Sequence, residues 1–400
     1  MDRKCAGEAV KNAFKEGEGV LSMAPSWVSR AFNKPGKRLK LHPDDYFGYG
    51  VDQGAIVERW FSSITNVITK GGPKDAGLSY VNTDGTLEGK VLFRDALDEL
   101  GVELIGRELT DKYGTWPMFA KFYDYQLPLF HHIHMGQEYA ALVGMNAKPE
   151  HYYFPAQYNN HPGDFPVTYF GFDPSVSKEE VMECLRDYNK FDTRITRLSR
   201  AFRLEVGTGW YTAPGVIHAP GSLMTYEPQW NSDVLSVWEN VVSGEVMDKN
   251  LLTCCVPDDK KDDLDYIFNF IDWEVSTCSD YRERYFRPPV SIDKSTAHEE
   301  KWICYGNEYI GAKELAINPG QTYVSKDVAA YGCVIVQGYG SFGAHRCEAA
   351  DMIRLGALTA DEFFVSEDAA KKGLSITNNA VYEPLVILKH FGPNCDMPRC

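Results

Sequence analysis

The sequence lacks any apolar run near the ~20 residues that span a bilayer, and its first residues, MDRKCAGEAVKNAFKEGEG, lack the apolar core of a secretory signal. Basic residues are scarce: 41 Lys and Arg against 56 Asp and Glu leave a formal net charge of −15. This charge disfavours nucleic acid and anionic membrane surfaces as partners. Ten cysteines in 400 residues are too dilute for a disulfide scaffold. We therefore expect a cytoplasmic protein with reduced thiols that binds neither nucleic acid nor membrane.

Internal repeats and low-complexity segments are also missing, whereas aromatic residues are abundant at 13%. Short apolar runs broken by glycine and proline favour strands over long helices. One helix is predicted to begin after Ser177, which lies three residues before Glu180 as in a capping box. A second is predicted over 261–272, where apolar residues recur at helical spacing. The predicted strands are 127–135, 151–154, 166–170, 209–213, 234–239, 332–337 and 385–390.

The densest chemical signal is FHHIHMGQEYAALVGMNAKPEHYYF, residues 130–154. Alternate side chains of a strand share a face, so His132 and His134 can bind one ion while His131 points the other way. A later segment, GWYTAPGVIHAPG, makes a Pro-Gly turn and presents His218 from the next strand. Three imidazoles and a carboxylate from a neighbouring strand suit zinc, with manganese, iron, cobalt or nickel as alternatives.

These segments resemble the cupins, small jelly-roll or double-stranded β-helix barrels that bind a metal. The closer resemblance is to the type I phosphomannose isomerases, and it runs patchily from about Glu58 to Pro393. TWPMFAKFYDYQLPLFHHIHMGQEYA is similar to the family's segment that ends in Leu-Ser-x-Gln-x-His-Pro, and NAKPEHYYF to its Lys-Pro-Glu strand. VTYFGFDPSVSKEEVMECL is similar to the strand and helix that follow, and APGVIHAPGSLMTYEPQWNSDV to the Pro-x-Gly-x-x-His-Ala and Glu-x-Gln-x-x-Ser-Asp segments.

The resemblance implies a metal-ligand set. Its members fall on His132 (where the family usually has glutamine), His134, Glu150 and His218. A general cupin pattern, His-x-His-x-x-x-Glu, would instead select Glu138. The family's Glu-Tyr-Ala holds no ligand whereas its Lys-Pro-Glu does, so the resemblance favours Glu150 and leaves Glu138 as the alternative.

The resemblance also implies catalytic residues. Lys121 and Lys148 match active-site lysines of the family, and each could orient sugar hydroxyls or stabilise an enediolate as a fixed cation. Glu227 matches a glutamate placed to act as acid and base, with Gln229 and Asp233 on the same segment. The alternatives are surface positions for the lysines and a structural hydrogen bond for Glu227.

Two departures from the family concern the substrate phosphate. The family's serine that helps to hold it is Phe130 here, and the arginine expected after Ser-Asp is absent from LSVWEN. Three arginines of DYRERYFRPP could replace the lost charge, although a solvated cluster is the alternative: Arg282, Arg284 and Arg287. The resemblance therefore supports metal and sugar chemistry more strongly than it supports mannose 6-phosphate.

Two later patterns are interpreted as structural. GYGSFG, residues 338–343, matches a dinucleotide fingerprint, but no second βα unit is found after it, so we expect a β-turn. GAHRCEAADM holds only an incomplete ligand set, namely His345, Cys347 and Glu348. The second half of the chain is therefore expected to be a barrel without a metal.

The expected fold is mainly β, with two cupin barrels and added helices. Its predicted parts are an N-terminal extension (1–50), a metal-binding cupin domain (51–255), a helical connector (256–310) and a degenerate C-terminal cupin-like barrel (311–400). The leading functional hypothesis is a metal-dependent isomerase that interconverts an aldose and a ketose, free or phosphorylated, by enediol proton transfer. Another metal-dependent cupin enzyme, such as an oxygenase, and a non-catalytic sugar-binding cupin are the alternatives.

Overall fold

Strands dominate the regular structure of residues 3–69 and 71–399, which the computed structural model describes. The fold is therefore mainly β, as predicted. The strands in chain order are β1 (Val20–Ala24), β2 (Ser26–Arg30), β3 (Ala55–Phe61), β4 (Tyr80–Asn82), β5 (Lys90–Leu92), β6 (Met118–Tyr123), β7 (His132–Ile133), β8 (Glu150–Tyr153), β9 (Val167–Phe172), β10 (Ser199–Arg203), β11 (Gly209–Thr212), β12 (His218–Ala219), β13 (Thr225–Trp230), β14 (Ser236–Val237), β15 (Val241–Val242), β16 (Glu245–Val246), β17 (Phe286–Arg287), β18 (Val290–Lys294), β19 (His298–Cys304), β20 (Gly311–Ile317), β21 (Thr322–Ser325), β22 (Tyr331–Gln337), β23 (Tyr339–Phe342), β24 (His345–Glu348), β25 (Glu362–Val365), β26 (Leu374–Asn378) and β27 (Leu385–Phe391).

Most α-helices of the described residues are short. The α-helices are α1 (Arg3–Glu16), α2 (Phe93–Leu100), α3 (Val102–Tyr113), α4 (Gln137–Ala140), α5 (Lys178–Arg186), α6 (Asn250–Thr253), α7 (Leu264–Phe268), α8 (Trp273–Thr277), α9 (Tyr281–Tyr285) and α10 (Glu367–Lys372). Single 3₁₀ turns occur at Pro43–Asp45, Val51–Gln53, Ala141–Val143, Ile195–Leu198 and Asp258–Lys260. Across the described ranges, no helix is both long enough and apolar enough to cross a membrane.

The first barrel is formed by two antiparallel sheets that face each other. One has seven strands in the order β17-β11-β8-β13-β6-β3-β2, and the other has five in the order β10-β9-β12-β7-β14. Aromatic side chains from both sheets pack in a shared apolar cluster, including Tyr152 on β8, Phe170 on β9 and Trp210 on β11. Alternate residues of these strands therefore point into a common interior.

The second barrel pairs a nine-stranded sheet with a four-stranded one. Their orders are β18-β19-β20-β27-β22-β25-β1-β4-β5 and β21-β26-β23-β24. Phe342 and Ile376 of the smaller sheet pack against Ile335 and Ile387 of the larger one. GYGSFG contributes β23 and the turn into β24, a β-hairpin rather than a strand-to-helix turn.

The N-terminal residues join both barrels. β1 pairs with β25 and β4 in the nine-stranded sheet, whereas β2 pairs with β3 in the seven-stranded sheet. Only Pro25 separates the two strands, and proline is suited to such a break because it cannot donate a ladder hydrogen bond. Residues on β2 are thereby brought to the first barrel from far upstream of the histidine motif.

The two predicted helices had different outcomes. The helix after Ser177 is confirmed as α5: the Ser177 hydroxyl accepts from the Glu180 N–H at 3.3 Å, and the Ser177 N–H donates to the Glu180 carboxylate at 2.9 Å. The helix predicted over 261–272 was wrong in extent, because α7 covers only part of it. Asp263 and Asp272 each accept a hydrogen bond from the backbone three residues on, which starts a new short helix at each aspartate.

The predicted strand 127–135 forms regular pairing only over β7. The chain on either side is held by single hydrogen bonds, from the Leu129 N–H to the Pro220 carbonyl and from the Gly215 N–H to the His134 carbonyl. Five further predicted strands coincide with β8, β9, β11, β22 and β27, with shifted ends, whereas the strand predicted over 234–239 is regular only over β14.

Candidate metal centre

Three buried histidines converge inside the first barrel. His132 on β7 and His218 on β12 are direct cross-strand partners, and their ring centroids lie 4.1 Å apart. The His134 ring lies 4.9 Å from that of His132 and 5.0 Å from that of His218. One candidate ligand atom from each ring lies within 4.8 Å of the others. Within residues 3–69 and 71–399, this is the only group of three His, Cys, Asp or Glu side chains of this kind.

A tight turn positions the third histidine. Gly215 has a φ of 83°, in the left-handed region that favours glycine. Its N–H donates to the His134 carbonyl at 2.7 Å. The Pro-Gly turn noticed in the sequence therefore brings β12 alongside the His-x-His segment.

Backbone carbonyls orient all three rings. Nδ1 lies 3.0 Å from the Phe130 carbonyl in His132, 2.6 Å from the Val234 carbonyl in His134 and 2.8 Å from the Val216 carbonyl in His218. A carbonyl can only accept, so each Nδ1 carries the hydrogen and each Nε2 keeps a lone pair. This arrangement is typical of histidines that bind a metal.

Burial keeps the His132 and His134 rings neutral. Burial, with the neighbouring His218 and His134 rings, holds the pKa of His132 well below its usual value. Burial and the Lys148 ammonium lower the pKa of His134 to about 3. Neutral imidazole is the form that coordinates a cation.

Glu150 faces the histidines from the opposite sheet. Its two carboxylate oxygens lie 3.1 Å from His218 Nε2 and 3.2 Å from His134 Nε2. The Tyr152 hydroxyl donates to it at 2.5 Å and the Lys148 ammonium lies 2.9 Å away. Burial raises the pKa of Glu150, but the Lys148 ammonium and the adjoining His134 ring outweigh burial and hold it well below the usual value.

The donor set fits a divalent ion. In the described part of the chain, no group makes a well-directed hydrogen bond to His218 Nε2 or Glu150 Oε2, although both atoms are buried. A cation between imidazole nitrogens and a carboxylate would satisfy both atoms, and such a set suits zinc. Glu138, the alternative ligand, is exposed on α4, whereas Glu150 is buried and lies against two of the rings.

The two lysines and Glu227 lie beside this cluster. Lys121 on β6 is the cross-strand partner of Glu227 on β13, with 3.1 Å between Nζ and Oε1. Lys148 Nζ lies 3.6 Å from the same oxygen and 3.1 Å from His134 Nε2. Burial and the Glu150 carboxylate raise the pKa of Glu227 to about 8, although both lysines oppose the shift. All three side chains are buried rather than at the surface.

Gln229, His131 and His151 lie outside the histidine cluster. The Gln229 amide donates to the Ser232 carbonyl at 2.7 Å. His131 points away from the cluster, with its two ring nitrogens near Glu239 and Ser199. His151 is buried, and burial and the Arg287 charge hold its pKa well below the usual value.

A narrow pocket opens over the cluster, with a cavity volume of about 40 Å³. The sequence did not identify several of its residues, which come from the N-terminal strands and from aromatic positions. No local motif marks them. These additional lining residues are Arg30, Phe32, Glu58, Thr69, Tyr123, Tyr125 and Tyr152.

The three arginines proposed to replace the missing charge lie elsewhere. Arg282 contacts Glu205 at 3.3 Å, and Arg284 contacts Asp280 at 2.9 Å. Arg287 donates to the Tyr305 carbonyl at 3.1 Å. None of the three lines the pocket, so they do not replace the missing charge. Arg282 and Arg284 are exposed, as the alternative of a solvated cluster predicts, whereas Arg287 is buried. The guanidinium that reaches the pocket belongs to Arg30, whereas Phe130 lines it as expected.

No protein-family model matches the chain, and no curated protein sequence matches it significantly. Solved structures match its fold over nearly their whole length. The mannose 6-phosphate isomerase from Bacillus subtilis aligns with a TM-score of 0.62 at 17% identity, covering 93% of this chain and 100% of that one. A zinc-bound mannose 6-phosphate isomerase gives 0.61 at 12% identity, with 94% and 99% covered.

A mutant of the phosphomannose isomerase from Salmonella typhimurium gives a TM-score of 0.61 at 12% identity, covering 94% of this chain and 100% of that one. The chain therefore has the cupin fold of the phosphomannose isomerases, as the motif resemblance predicted. At these identities the likeness concerns the fold.

Proposed function

We propose that the protein is a metal-dependent aldose–ketose isomerase that transfers a proton between C1 and C2 of a sugar. The observation that carries this proposal is the convergence, at one site, of three imidazoles, the Glu150 carboxylate and the Lys121–Glu227–Lys148 group. The fold similarity to mannose 6-phosphate isomerases, one of them zinc-bound, supports the same reaction class. The predicted cytoplasmic location stays a prediction.

The ion would be held by His132, His134, His218 and Glu150. The donors are three nitrogens and one or two oxygens, a set that favours zinc and also accommodates manganese, iron, cobalt or nickel. When bound, such an ion supplies Lewis acidity toward adjacent sugar oxygens. Three backbone carbonyls hold the rings in place before any ion or substrate arrives.

Glu227 would carry the transferred proton. Its carboxylate would take the proton from C2 of an aldose, which leaves an enediol, and would return it to C1 as the C2 hydroxyl becomes the ketone. The hydroxyl proton leaves O2 while the former aldehyde oxygen gains one, so the reaction is a balanced isomerisation. Lys121 and Lys148, both near Glu227 Oε1, would stabilise negative charge that develops on the sugar oxygens.

Metal removal tests this proposal. The full chain is treated with a chelator, one divalent ion is restored at a time, and mannose, fructose, lyxose, xylulose and their phosphates are screened. We expect turnover to disappear with the metal and to return with zinc or a related ion. Unchanged turnover after complete metal removal would contradict the proposal. Oxygen consumption with ferrous iron would indicate an oxygenase, and sugar binding without turnover would indicate a non-catalytic cupin.

A further inference from the structure

We propose that the site takes an uncharged sugar rather than a sugar phosphate, and that Arg30, held by Glu58 and Asp233, determines this specificity. This assignment rests on the proposed isomerase activity and adds the substrate class to it. Arg30 is the last residue of β2 and reaches the pocket from the N-terminal part of the chain. It is the one guanidinium among the residues that line the pocket.

The Arg30 guanidinium is already paired with two carboxylates and one hydroxyl. Its Nε donates to one oxygen of Glu58 at 2.8 Å and its Nη2 to the other at 3.2 Å, a bidentate pair. Nη2 also lies 3.5 Å from Asp233, and Nη1 donates to the Thr69 hydroxyl at 2.6 Å. All three guanidinium nitrogens are therefore engaged before a substrate enters.

Further hydrogen bonds hold the Glu58 and Asp233 carboxylates in place. Glu58 accepts from the Trp60 indole N–H and from the Tyr125 hydroxyl, each at 2.7 Å. Asp233 accepts from the Ile68 N–H at 3.0 Å with its second oxygen. Moving either carboxylate aside would break buried hydrogen bonds, so a phosphate could displace them only at a large cost.

The two lysines of the pocket are likewise paired with acidic side chains. Lys121 contacts Glu227 at 3.1 Å and Lys148 contacts Glu150 at 2.9 Å. Among the lining residues, three basic side chains lie beside four acidic ones. A phosphate dianion needs unpaired cations or donors. A sugar hydroxyl both donates and accepts, so paired ammonium and carboxylate groups suit it instead.

The apolar side chains that line the pocket also favour an uncharged ligand. Phe32 and Phe130 pack against each other with tilted rings whose centroids are 4.9 Å apart, and Leu129 and Leu235 line the same pocket. Apolar side chains can pack against the C–H faces of a sugar, but they leave a charged phosphate without partners.

The first experiment compares free and phosphorylated sugars on the zinc-loaded full chain. Turnover and calorimetric binding are measured for mannose, fructose, lyxose and xylulose and for their phosphates, with inorganic phosphate as a competitor. We expect free sugars to be preferred by at least about tenfold in kcat/KM or in affinity. Inorganic phosphate is expected not to compete.

The second experiment weakens the pairing between the Arg30 guanidinium and its two carboxylates. Asp233→Asn, and separately Glu58→Gln, remove a negative charge from Arg30 while keeping the side-chain shape. Each is expected to raise affinity for the phosphorylated sugar or for inorganic phosphate by about tenfold. Asp45→Asn is the matched control, because Asp45 holds Arg354 at 2.7 Å and does not line the pocket. It should leave phosphate affinity unchanged.

The outcomes separate the two proposals. Preference for a sugar phosphate, or competition by inorganic phosphate, would overturn the specificity inference and leave the isomerase proposal standing. Binding of free sugars with no turnover of any sugar would contradict the proposed isomerase activity. The same result would support the inference that the site binds uncharged sugars. If neither class of sugar binds, both proposals fail. Phosphate affinity that stays unchanged in both charge-releasing variants would overturn the role of Arg30.

Discussion

His132 and His218 are paired across β7 and β12, and their ring centroids lie 4.1 Å apart. Both rings have Nδ1 against the carbonyl of the residue two positions before them, Phe130 and Val216. The same local hydrogen bond therefore sets the orientation of each ring, while the strand pairing sets the distance between them. This relationship makes both lone pairs available to one ion and is the basis of the first prediction.

Replacing His218 by alanine is expected to abolish tight zinc binding. Loss of a group that merely orients a ligand costs about 10–100-fold in metal affinity, and loss of a ligand itself should cost more. Zinc content after dialysis and titration against a competing chelator measure the effect. The control is His345→Ala, whose ring lies in the second barrel near the Val20 carbonyl. Equal zinc content in the two variants would contradict the assigned ligand set.

Zinc is expected to raise the melting temperature of the full chain. A ligand that binds only the folded state adds about 2.7 kcal/mol to the free energy of unfolding when present at a hundredfold its Kd. Calorimetry or thermal fluorescence with and without chelator measures this shift. Magnesium serves as a control ion, because it prefers oxygen ligands and should give little shift. The His218→Ala variant should show no zinc-dependent shift.

Glu227→Gln is expected to lower kcat by about 10²–10⁴-fold while zinc binding is retained, because the amide cannot carry the proton. Steady-state kinetics and zinc content are measured on the same preparation. Glu239→Gln is the matched control: Glu239 accepts from the His131 N–H at 2.8 Å on the face away from the cluster. Full activity in the Glu227 variant would assign proton transfer to another group.

Glu362 is expected to make folding stability fall as pH rises. Burial and the neighbouring Asp361 raise its pKa from 4.5 to about 8, against the opposing charge of Arg59. The folded state therefore binds the proton more tightly than the unfolded state. The resulting stability is complete below about pH 4.5 and is lost as pH rises through about 8.

Melting temperatures of the wild type and Glu362→Gln across this pH range test that expectation. The glutamine variant should lose less stability with rising pH, because it has no proton to release. Parallel pH profiles for the two proteins would show that another group controls the dependence. Glu362 lies in the second barrel on β25, so zinc should not change the result.

Removal of the α5 N-cap is expected to lower the stability of the protein only slightly. Ser177→Ala deletes one side of the capping box and should lower the free energy of unfolding by about 1 kcal/mol. Chemical denaturation measures the change. Ser291→Ala, at an exposed position of β18, is a matched surface control and should stay within about 0.5 kcal/mol of the wild type. A loss as small as that of the control would mean that the cap contributes little.

Local patterns were sufficient for much of the fold and for the site histidines. Period-2 alternation put His132 and His134 on one face, and the Pro-Gly turn indicated His218. The capping box at Ser177 predicted α5 because its hydrogen bonds join residues only three apart. The apolar spacing over 261–272 wrongly predicted one continuous helix. Aspartate N-caps at 263 and 272 instead begin two short helices there.

What the sequence determined by itself is therefore the local chemistry: strand-forming residues, the turn, the cap and the presence of three histidines with their neighbouring acids. Only the tertiary structure decided which groups share the pocket. Arg30 and Glu58 lie far upstream of the histidines, and their place beside Phe130 depends on the pairing of β2 with β3 and of β3 with β6. Such contacts follow from long-range strand order, which no local pattern encodes.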